Sequence, residues 1–495
     1  MRKPPGLAAI AAVGVLAGCA QLAGIDDTSG SGLDATSARV SLQLQRVSIG
    51  ATVERSPAVL TGQAADYLVA DPLGELGTRA VPATVTGAAM DTFTADLVAP
   101  TPIRLMLPSL TQPVIIDLPT PMVHAFYAVY EHRDPTPAPA PATITVAATS
   151  DVVQPAGGGS TFQFYSVGTW ARRDVTAPAM DTTALGMGPV PWSSFVTPTG
   201  APATDALTAA DPVFLLRYEG ASLAAIADVT PFAQTGTDTV SGTLVPVSAD
   251  QTLAATVDSP AAAARFGAVM PAVPVPTASY AVTAAPGALF ANQVGPQLVA
   301  GPVAVAGPAG PIGAQYGNPF AARSWRPVVT LTMVSNRTAT VAAFAADVAL
   351  PTLVQQVAEA GPGLTLDLPA PLPTTIAIDG IALAADGMAV AKQTAPVSVT
   401  VTTGPGAVTL YVLDLIELTQ PAASMAIEQR ATLTMYATSP MMTVPAKFFE
   451  AGKHYVIRAI TIAGSFPLIA TGELTEHTLP LSLALHTSGV FEVMP

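Results

Sequence analysis

The sequence predicts an all-β protein built from several antiparallel β-sandwich domains in tandem. Apolar and polar residues alternate with period two in many short segments, which places one side of each strand on a core and the other towards solvent. The 48 prolines and 39 glycines interrupt these segments at short intervals. Long helical periodicity is nearly absent, and this combination favours sandwiches over parallel βαβ units.

The alternation recurs from the N-terminal part of the chain to its C-terminal end. Because the polar partners between the apolar positions are mostly Ser, Thr and Gln, each segment predicts a strand with one solvated side. The apolar positions are Val40, Leu42 and Leu44; Ile144 and Val146; Val329, Leu331 and Met333; Val397, Val399 and Val401; and Leu479, Leu481, Leu483 and Leu485.

The chain of 495 residues is too long for one hydrophobic core. A polyproline-like stretch at 134–142 and a segment rich in Pro, Gly and Ala at 271–317 interrupt the strand pattern. We therefore expect a β-sandwich domain at 39–135, one or more β-rich domains with Pro/Gly-rich loops at 136–325, and one or more β-sandwich domains at 326–495.

The N-terminus carries a secretion signal that ends on the single cysteine of the chain. Arg2 and Lys3 precede a short apolar run, and Leu16-Ala17-Gly18-Cys19 follows it. These four residues resemble the lipobox of bacterial lipoproteins, which implies a signal peptide at 1–18 and a diacylglyceryl group on Cys19. The alternatives for Cys19 are a small buried thiol and a free reactive thiol.

Residues 19–38 contain small and polar side chains and predict a flexible tether between the lipid and the folded body. Residues 20–28 resemble the start of many uncharacterised lipoproteins, a resemblance that implies no activity. Ala20 follows the cysteine where some Gram-negative lipoproteins carry an inner-membrane retention aspartate. The expected location is therefore the outer membrane of a bacterial cell envelope.

Charge composition limits the possible partners. The formal net charge is −14, and it becomes more negative when Arg2 and Lys3 leave with the signal peptide. Such a balance disfavours nucleic acid, which needs clustered Lys and Arg to displace counterions. The lysines that remain are Lys392, Lys447 and Lys453. The expected partners are the membrane, through the lipid on Cys19, and an unidentified envelope protein or glycan.

The C-terminal segment from Ala451 to Ile460 carries the most specific fold signal. A small-Gly turn precedes Tyr455, which enters an alternating strand. This segment resembles fibronectin type III and immunoglobulin-like sandwiches, in which such a tyrosine caps nearby backbone in a tyrosine corner. We expect Tyr455 at the entry of this strand, with Ile457 and Ala459 pointing the same way and the intervening residues Val456, Arg458 and Ile460 pointing the other way.

Two pairs of segments suggest an internal repeat. Phe93–Thr101 resembles Phe344–Thr352, and Ile116–Pro121 resembles Leu366–Pro371. If this repeat is structural, the segment from Leu353 to Gly361, which has a short helical pattern, forms a strand instead. Coincidence in a chain rich in Ala, Pro, Val and Thr is the alternative.

No catalytic residue is assigned from the sequence. Gly220-Ala-Ser222 is the nearest approach to a nucleophile elbow, but the second glycine is missing and no α/β pattern surrounds it. Gly452-Lys453 is followed by His454 instead of Ser or Thr, which excludes a phosphate-binding P-loop there. Ser222 is interpreted as a solvated turn residue.

No metal or other cofactor is predicted either. The five histidines lack the tight spacing of a zinc site and are interpreted as surface or rim residues. Asp379-Gly380 and Asp386-Gly387 lack the alternating ligands of an EF-hand and predict two turns around a short strand, with calcium as the alternative. The histidines are His124, His132, His454, His477 and His486.

Aromatic side chains cluster between residues 162 and 192 and have two interpretations. Rings at this density usually fill the gap between two sheets, and a platform that stacks on sugar rings is the alternative. Arg172 and Arg173, beside one of these rings, either pair with an acidic partner or are solvated. The aromatic residues are Phe162, Phe164, Tyr165, Trp170 and Trp192.

These observations favour a lipid-anchored cell-envelope protein with a non-enzymatic binding, adhesion or structural role. The alternative is an envelope hydrolase whose carboxylates come from separate loops, a pairing that sequence spacing does not reveal. Ligand-binding residues are left unassigned, and Cys19 is the one predicted site, for lipidation.

Overall fold

The computed structural model describes most of the chain from residue 37 onwards. Within this part the protein is almost entirely β-structure, with one α-helix, α1 (Ser259–Ala264), and short 3₁₀ turns. The all-β prediction is therefore confirmed. The described residues are 37–49, 53–57, 62, 64–70, 78–90, 92–98, 103–107, 113–118, 124–131, 137–154, 159–166, 169, 171–175, 182–196, 202–230, 232–286, 295–306, 310–421, 426–466 and 478–494.

The first sandwich begins at Ser37, two residues inside the predicted tether, whose remainder lies outside the described part. Tyr67 and Phe93 come from its two sheets and are fully buried, and the Tyr67 hydroxyl donates to the Phe93 carbonyl at 3.1 Å. Its strands are β1 (Ser37–Ile49), β2 (Val53–Pro57), β3 (Asp66–Ala70), β4 (Thr78–Pro82), β5 (Thr84–Thr86), β6 (Thr92–Val98), β7 (Ile103–Leu107), β8 (Val114–Leu118) and β9 (His124–Glu131).

The second sandwich packs the sheet β13-β10-β16 against the sheet β12-β11-β14-β15-β17. Apolar residues of both sheets share one core around Phe164 and Trp192. Its strands are β10 (Thr143–Gln154), β11 (Ser160–Ser166), β12 (Arg172–Val175), β13 (Thr182–Pro191), β14 (Val213–Glu219), β15 (Ser222–Val229), β16 (Thr237–Thr243) and β17 (Val245–Pro246).

The third sandwich packs the sheet β21-β18-β24 against the strands β20-β19-β22-β23, and helix α1 follows its first strand. The segment from Leu353, for which a helix was the alternative, is part of strand β23. The strands of the third sandwich are β18 (Gln251–Val257), β19 (Thr277–Pro286), β20 (Gln297–Val303), β21 (Gly310–Tyr316), β22 (Trp325–Val341), β23 (Ala346–Glu359) and β24 (Pro362–Leu366).

The first three sandwiches share one topology. In each, the first strand pairs antiparallel with a middle strand and parallel with the last strand of its own sheet: β1 with β6 and β9, β10 with β13 and β16, and β18 with β21 and β24. The facing sheets run β4-β3-β7-β8, β12-β11-β14-β15 and β20-β19-β22-β23. The chain therefore contains a structural repeat.

This structural repeat differs from the one suggested by sequence. Phe93 lies within β6, next to the first strand of its unit, whereas Phe344 lies in the 3₁₀ turn between β22 and β23 in the facing half of its unit. Ile116 lies in β8, whereas Leu366 ends β24. The similar segments occupy different places in the topology, because small apolar residues and prolines recur wherever strands meet turns.

The fourth sandwich begins after β24 and has a different sheet arrangement. The sheet β26-β25-β28-β31 faces β30-β29-β32, with β34 beside β32 and β27 parallel to β34. This arrangement is fibronectin type III-like, as predicted. Its strands are β25 (Pro373–Ile378), β26 (Ile381–Ala382), β27 (Met388–Ala391), β28 (Val397–Thr403), β29 (Leu410–Thr419), β30 (Glu428–Ala437), β31 (Met441–Val444), β32 (His454–Ser465), β33 (Thr478–Thr487) and β34 (Phe491–Met494).

Tyr455 occupies the predicted tyrosine corner at the start of β32. Its ring is buried, and its hydroxyl accepts a hydrogen bond from the Glu450 backbone N–H at 3.2 Å. Ile457 and Ala459 share its core cluster, while Val456 and Ile460 belong to clusters on the other face of the strand. The predicted orientation of this strand is confirmed.

One large sheet joins three of the four sandwiches. Strand β33 pairs with β23 of the third sandwich on one side and with β32 of the fourth on the other, and β30 pairs in parallel with β8 of the first. This sheet crosses the expected domain boundaries near 135 and 325, and the division at those residues stays a prediction.

Within the described segments, no helix has both the length and the apolar character needed to span a membrane.

Candidate functional site

Several residues singled out from the sequence lie outside the described residues. Cys19 and the residues around it are among them, so its lipidation stays a prediction, and so are His132, Trp170 and His477. His124 lies in β9, where the backbone alone is described.

His486 is fully buried, contrary to the expected surface or rim position. Its Nδ1 lies 2.8 Å from the Thr352 hydroxyl and its Nε2 lies 2.9 Å from the Met270 carbonyl. Because a carbonyl only accepts, Nε2 carries the proton, and Nδ1 accepts from the hydroxyl. Burial lowers the pKa of His486 to about 4. This neutral imidazole links β33 to β23 and to the loop after α1, so its role is structural.

His454 is half-buried, and its ring lies against Phe344 with the ring centres 5.2 Å apart. Among the residues that the structure describes, no three His, Cys, Asp or Glu side chains come together as a metal site would require.

The two Asp-Gly pairs form the predicted turns. Asp379 and Gly380 both have positive φ angles, and the short strand β26 follows them. The Asp379 carboxylate accepts from the Ser398 N–H at 2.8 Å. The Asp386 carboxylate binds the Arg337 guanidinium at 2.5 Å and the Val490 N–H at 2.9 Å. Both carboxylates therefore hold loops against neighbouring strands.

The aromatic cluster lies in the core of the second sandwich. Phe162, Phe164 and Trp192 are buried, and the Trp192 indole N–H donates to the Asp205 carbonyl at 2.8 Å. Phe164 and Trp192 meet edge to face, with centroids 6.2 Å apart. The core interpretation is confirmed for these rings, because buried faces offer no surface to a sugar.

Two further residues singled out from the sequence, Arg173 and Ser222, lie in the second sandwich. The Arg173 guanidinium donates to the Ser194 carbonyl at 2.7 Å and lies over the Phe195 ring. Ser222 is half-buried and starts β15, directly after the turn at Gly220, whose φ of +58° favours glycine. Ser222 is therefore the first residue of a strand beside the turn and is half-buried, whereas a solvated turn position was expected.

An open cleft of about 550 Å³ at one corner of the fourth sandwich is the candidate functional site. One wall is the loop between β27 and β28, and the other is the 3₁₀ turn and corner that lead into β32. We call it the lysine cleft, after Lys392 and Lys447. The lining residues are Lys392, Gln393, Thr394, Ala446, Lys447, Phe449, Glu450 and Ala451.

Backbone hydrogen bonds hold both walls of the lysine cleft against the last strand. The Lys392 N–H donates to the Met494 carbonyl at 3.0 Å, and the Gly452 N–H donates to the Val493 carbonyl at 2.7 Å. Gly452 has a φ of +77°, a conformation that favours glycine at this tight turn. The tyrosine corner fixes the Glu450 backbone in the same turn.

Lys453 neutralises acidic side chains beside the lysine cleft. Its ammonium lies 2.8 Å from a Glu450 carboxylate oxygen and 3.1 Å from one of Glu417. The hydrogen bond to Glu450, and then that to Glu417, raises the pKa of Lys453 despite some desolvation. The one carboxylate in the lining, that of Glu450, is therefore already paired with Lys453.

Sequence reasoning did not find the lysine cleft. Its walls come from residues 392–394 and 446–451, which no local motif connects. The available signal was the lysine count: after Lys3, every lysine of the chain lies at this corner.

Comparisons with known proteins add little to this geometry. No protein-family model and no curated protein sequence matches the chain. Two solved structures of Escherichia coli alpha-2-macroglobulin align with 92% of this chain at 9% identity. The form activated by porcine elastase gives a TM-score of 0.14 with 44% of its chain covered, and the native form gives 0.11 with 28% covered. This chain thus spans less than half of either, and likeness at this level carries no argument.

Proposed function

We propose that this protein is a lipid-anchored component of the bacterial cell envelope that acts by binding or as a structural element. The supporting observation is the shared sheet, in which β33 and β30 join three sandwiches through backbone hydrogen bonds. Such pairing resists relative motion of the units. A rigid scaffold that presents a binding surface at a distance from its anchor needs this property.

The lipobox supports the anchor. Leu16-Ala17-Gly18-Cys19 stands directly after an apolar run with a basic start, and residues 20–36 supply the spacer to β1. Two or more acyl chains hold a protein stably at a membrane, whereas one gives only marginal binding. A triacylated Cys19 would therefore keep the sandwiches at the envelope.

An envelope hydrolase is the weaker candidate. It needs two carboxylates free to move protons on either side of a bond. Two described pairs of carboxylates are held by cations instead: Arg217 binds both Asp151 and Glu219, and Lys453 binds both Glu417 and Glu450. No observation in the described part of the chain favours catalysis.

The anchor is tested by replacing the lipidated residue. In the native host, Cys19→Ala should leave an uncleaved precursor that incorporates no labelled palmitate, because no thiol is left for thioether formation. Ala20→Asp is the matched control, since it keeps the thiol and should be labelled. Equal labelling of Cys19→Ala and the parent would contradict the proposal.

A further inference from the structure

Strand β16 (Thr237–Thr243) forms one edge of the three-stranded sheet in the second sandwich. It pairs in parallel with β10 along its whole length, without a bulge. The ladder runs from the Gly236 carbonyl, which accepts from the Thr143 N–H, to the Leu244 N–H at the other end. Because hydrogen-bonding groups alternate in direction along a strand, the even-numbered residues bond to β10. The odd-numbered residues turn their N–H and C=O groups to the free edge.

The free edge of β16 has no strand partner in the described part of the chain. Its odd-numbered positions carry exposed hydroxyl side chains. Among the described residues, only the Thr237 hydroxyl has a partner, the Thr143 hydroxyl at 3.2 Å. A row of unpaired backbone groups is a template for another strand. The edge residues are Thr237, Thr239, Ser241 and Thr243.

The other strands that end sheets in the second, third and fourth sandwiches carry features that prevent such pairing. Proline removes a backbone donor, charged side chains resist desolvation, and short strands offer few hydrogen bonds. Strands β13, β17, β20, β21 and β24 contain proline, β12 carries Arg172, Arg173 and Asp174, and β26, β27 and β31 have at most four residues. Strand β16 has seven residues without proline, lysine or arginine, so its edge is left unprotected.

The one charged side chain of β16, that of Asp238, does not block the edge. Its carboxylate accepts from the Thr235 N–H and from the Thr235 hydroxyl, both at 3.0 Å, and from the Gly236 N–H at 3.3 Å. These bonds turn the carboxylate back to the loop before the strand. The free edge therefore presents uncharged groups.

We propose that β16 pairs antiparallel with β16 of a second copy of this chain, which joins the two sheets into one. With Val240 on the two-fold axis, Thr239 lies opposite Ser241 of the second copy. Such odd-numbered pairs exchange both backbone hydrogen bonds and bring hydroxyl against hydroxyl. Asp238 lies opposite Gly242 of the second copy, which has no side chain, so like charges do not meet.

A second copy fits this edge better than a charged partner does. The strand is complementary to itself in this register, as a two-fold interface requires. The edge carries no free charge, whereas the whole chain has a net charge of −14 that opposes contact between copies through other surfaces. One strand edge buries less area than a standard interface, so we expect a dissociation constant of about 1–100 µM.

Sedimentation equilibrium of the full-length protein in density-matched detergent tests this interface. The parent should form dimers, and raised salt should strengthen them, because the like net charges are screened. Thr239→Pro should weaken dimerisation at least about tenfold, since it removes an outward donor from both copies and none that bonds to β10. Thr239→Ser is the matched control, because it keeps the N–H and the hydroxyl, and it should dimerise as the parent does.

A gain of affinity separates a lost interface from a folding defect. Thr239→Lys/Ser241→Glu keeps the net charge and places an ammonium opposite a carboxylate in both symmetry-related pairs. We expect it to dimerise about two- to tenfold more tightly than the parent at low salt. Thr239→Lys/Ser241→Lys places ammonium groups opposite each other, and it should dimerise more weakly than Thr239→Lys/Ser241→Glu.

Three results would overturn the interface: a parent that stays monomeric throughout this concentration range, equal dimerisation of Thr239→Pro and the parent, or no gain in Thr239→Lys/Ser241→Glu. The first would leave the edge to an extended segment of a different protein or to solvent, and the second would place self-association on another surface. The third would contradict the register. None of these measurements depends on acylation of Cys19, so the interface and the envelope proposal can fail separately.

Discussion

At the scale of single residues, Tyr455 shows how one hydroxyl and one ring stabilise a corner. The ring packs in the core beside Phe449 and Phe491, and the hydroxyl accepts from the Glu450 N–H. Tyr455→Phe should lower the free energy of unfolding by about 0.5–1.5 kcal/mol, because that N–H loses its partner. Tyr455→Ala should cost about 3–5 kcal/mol, because a cavity replaces the ring. Urea unfolding of the full chain measures both, and parental stability in both variants would rule out the tyrosine corner.

At the same scale, the buried His486 should make the free energy of unfolding depend on pH. Burial lowers its pKa to about 4 from 6.5, so between these values the unfolded chain binds a proton that the folded chain excludes. Its contribution to stability is complete above pH 6.5 and is lost as the pH falls towards 4, by about 3 kcal/mol in total. His486→Gln removes this titration. Unfolding free energies should therefore fall less steeply over this range in the variant than in the parent, and equal slopes would contradict the assignment.

At the scale of elements, neighbouring strands β29 and β32 carry a buried ion pair. Asp414 lies opposite Arg458 in register, 3.8 Å away, and accepts from the Thr434 hydroxyl at 2.6 Å. Burial raises the pKa of Asp414 and lowers that of Arg458. Asp414→Ala should cost about 3–5 kcal/mol, because it leaves the guanidinium buried and unpaired.

The double variant Asp414→Leu/Arg458→Met is the matched control for this pair. Since desolvation opposes both charges, we expect it to be as stable as the parent or more so in urea unfolding. A double variant less stable than Asp414→Ala alone would show that the pair itself stabilises the two strands.

The alternation of apolar and polar residues predicts where strands lie, but it does not predict which distant strands pair with each other. Val397, Val399 and Val401 lie in β28 as expected, because period two is a local property that each strand carries in its own sequence. The pairing of β8 with β30 joins residues more than 300 positions apart, and neither strand encodes its partner. Ser482 and His486 in β33 are buried although alternation places them on a solvated side, since the third sandwich covers their face of the strand and the first sandwich helps to cover the other.

The candidate site was predictable only in part. The tyrosine corner followed from the sequence around Tyr455, because a Gly turn and an alternating strand form a contiguous signal. The lysine cleft forms where two loops distant in sequence are both hydrogen-bonded to β34. The sequence shows which lysines the chain has, but it does not show that these two loops meet.

At the scale of the whole molecule, strand β33 should make the third and fourth sandwiches unfold as one unit. Ala484 lies opposite Val354 on one side and Thr461 on the other. Ala484→Pro removes a backbone donor from this central strand and disrupts both ladders. Hydrogen exchange should then accelerate in β23 and β32 together.

The second sandwich supplies the comparison for that experiment, because none of its strands pairs with the shared sheet. Its outer face does pack on the third sandwich, where Phe214 meets Phe320 and Trp325 with centroids 5.1 and 5.8 Å apart. Ala147→Pro in the central strand β10 should accelerate exchange in β13 and β16 and leave β32 protected, since ring packing and isolated contacts such as the Ala300 N–H to Ala221 carbonyl bond transmit less strain than a hydrogen-bonded ladder. Exchange that accelerates in β23 but not in β32 after Ala484→Pro would show that the two sandwiches open independently, and the rigid-scaffold role would lose its physical basis.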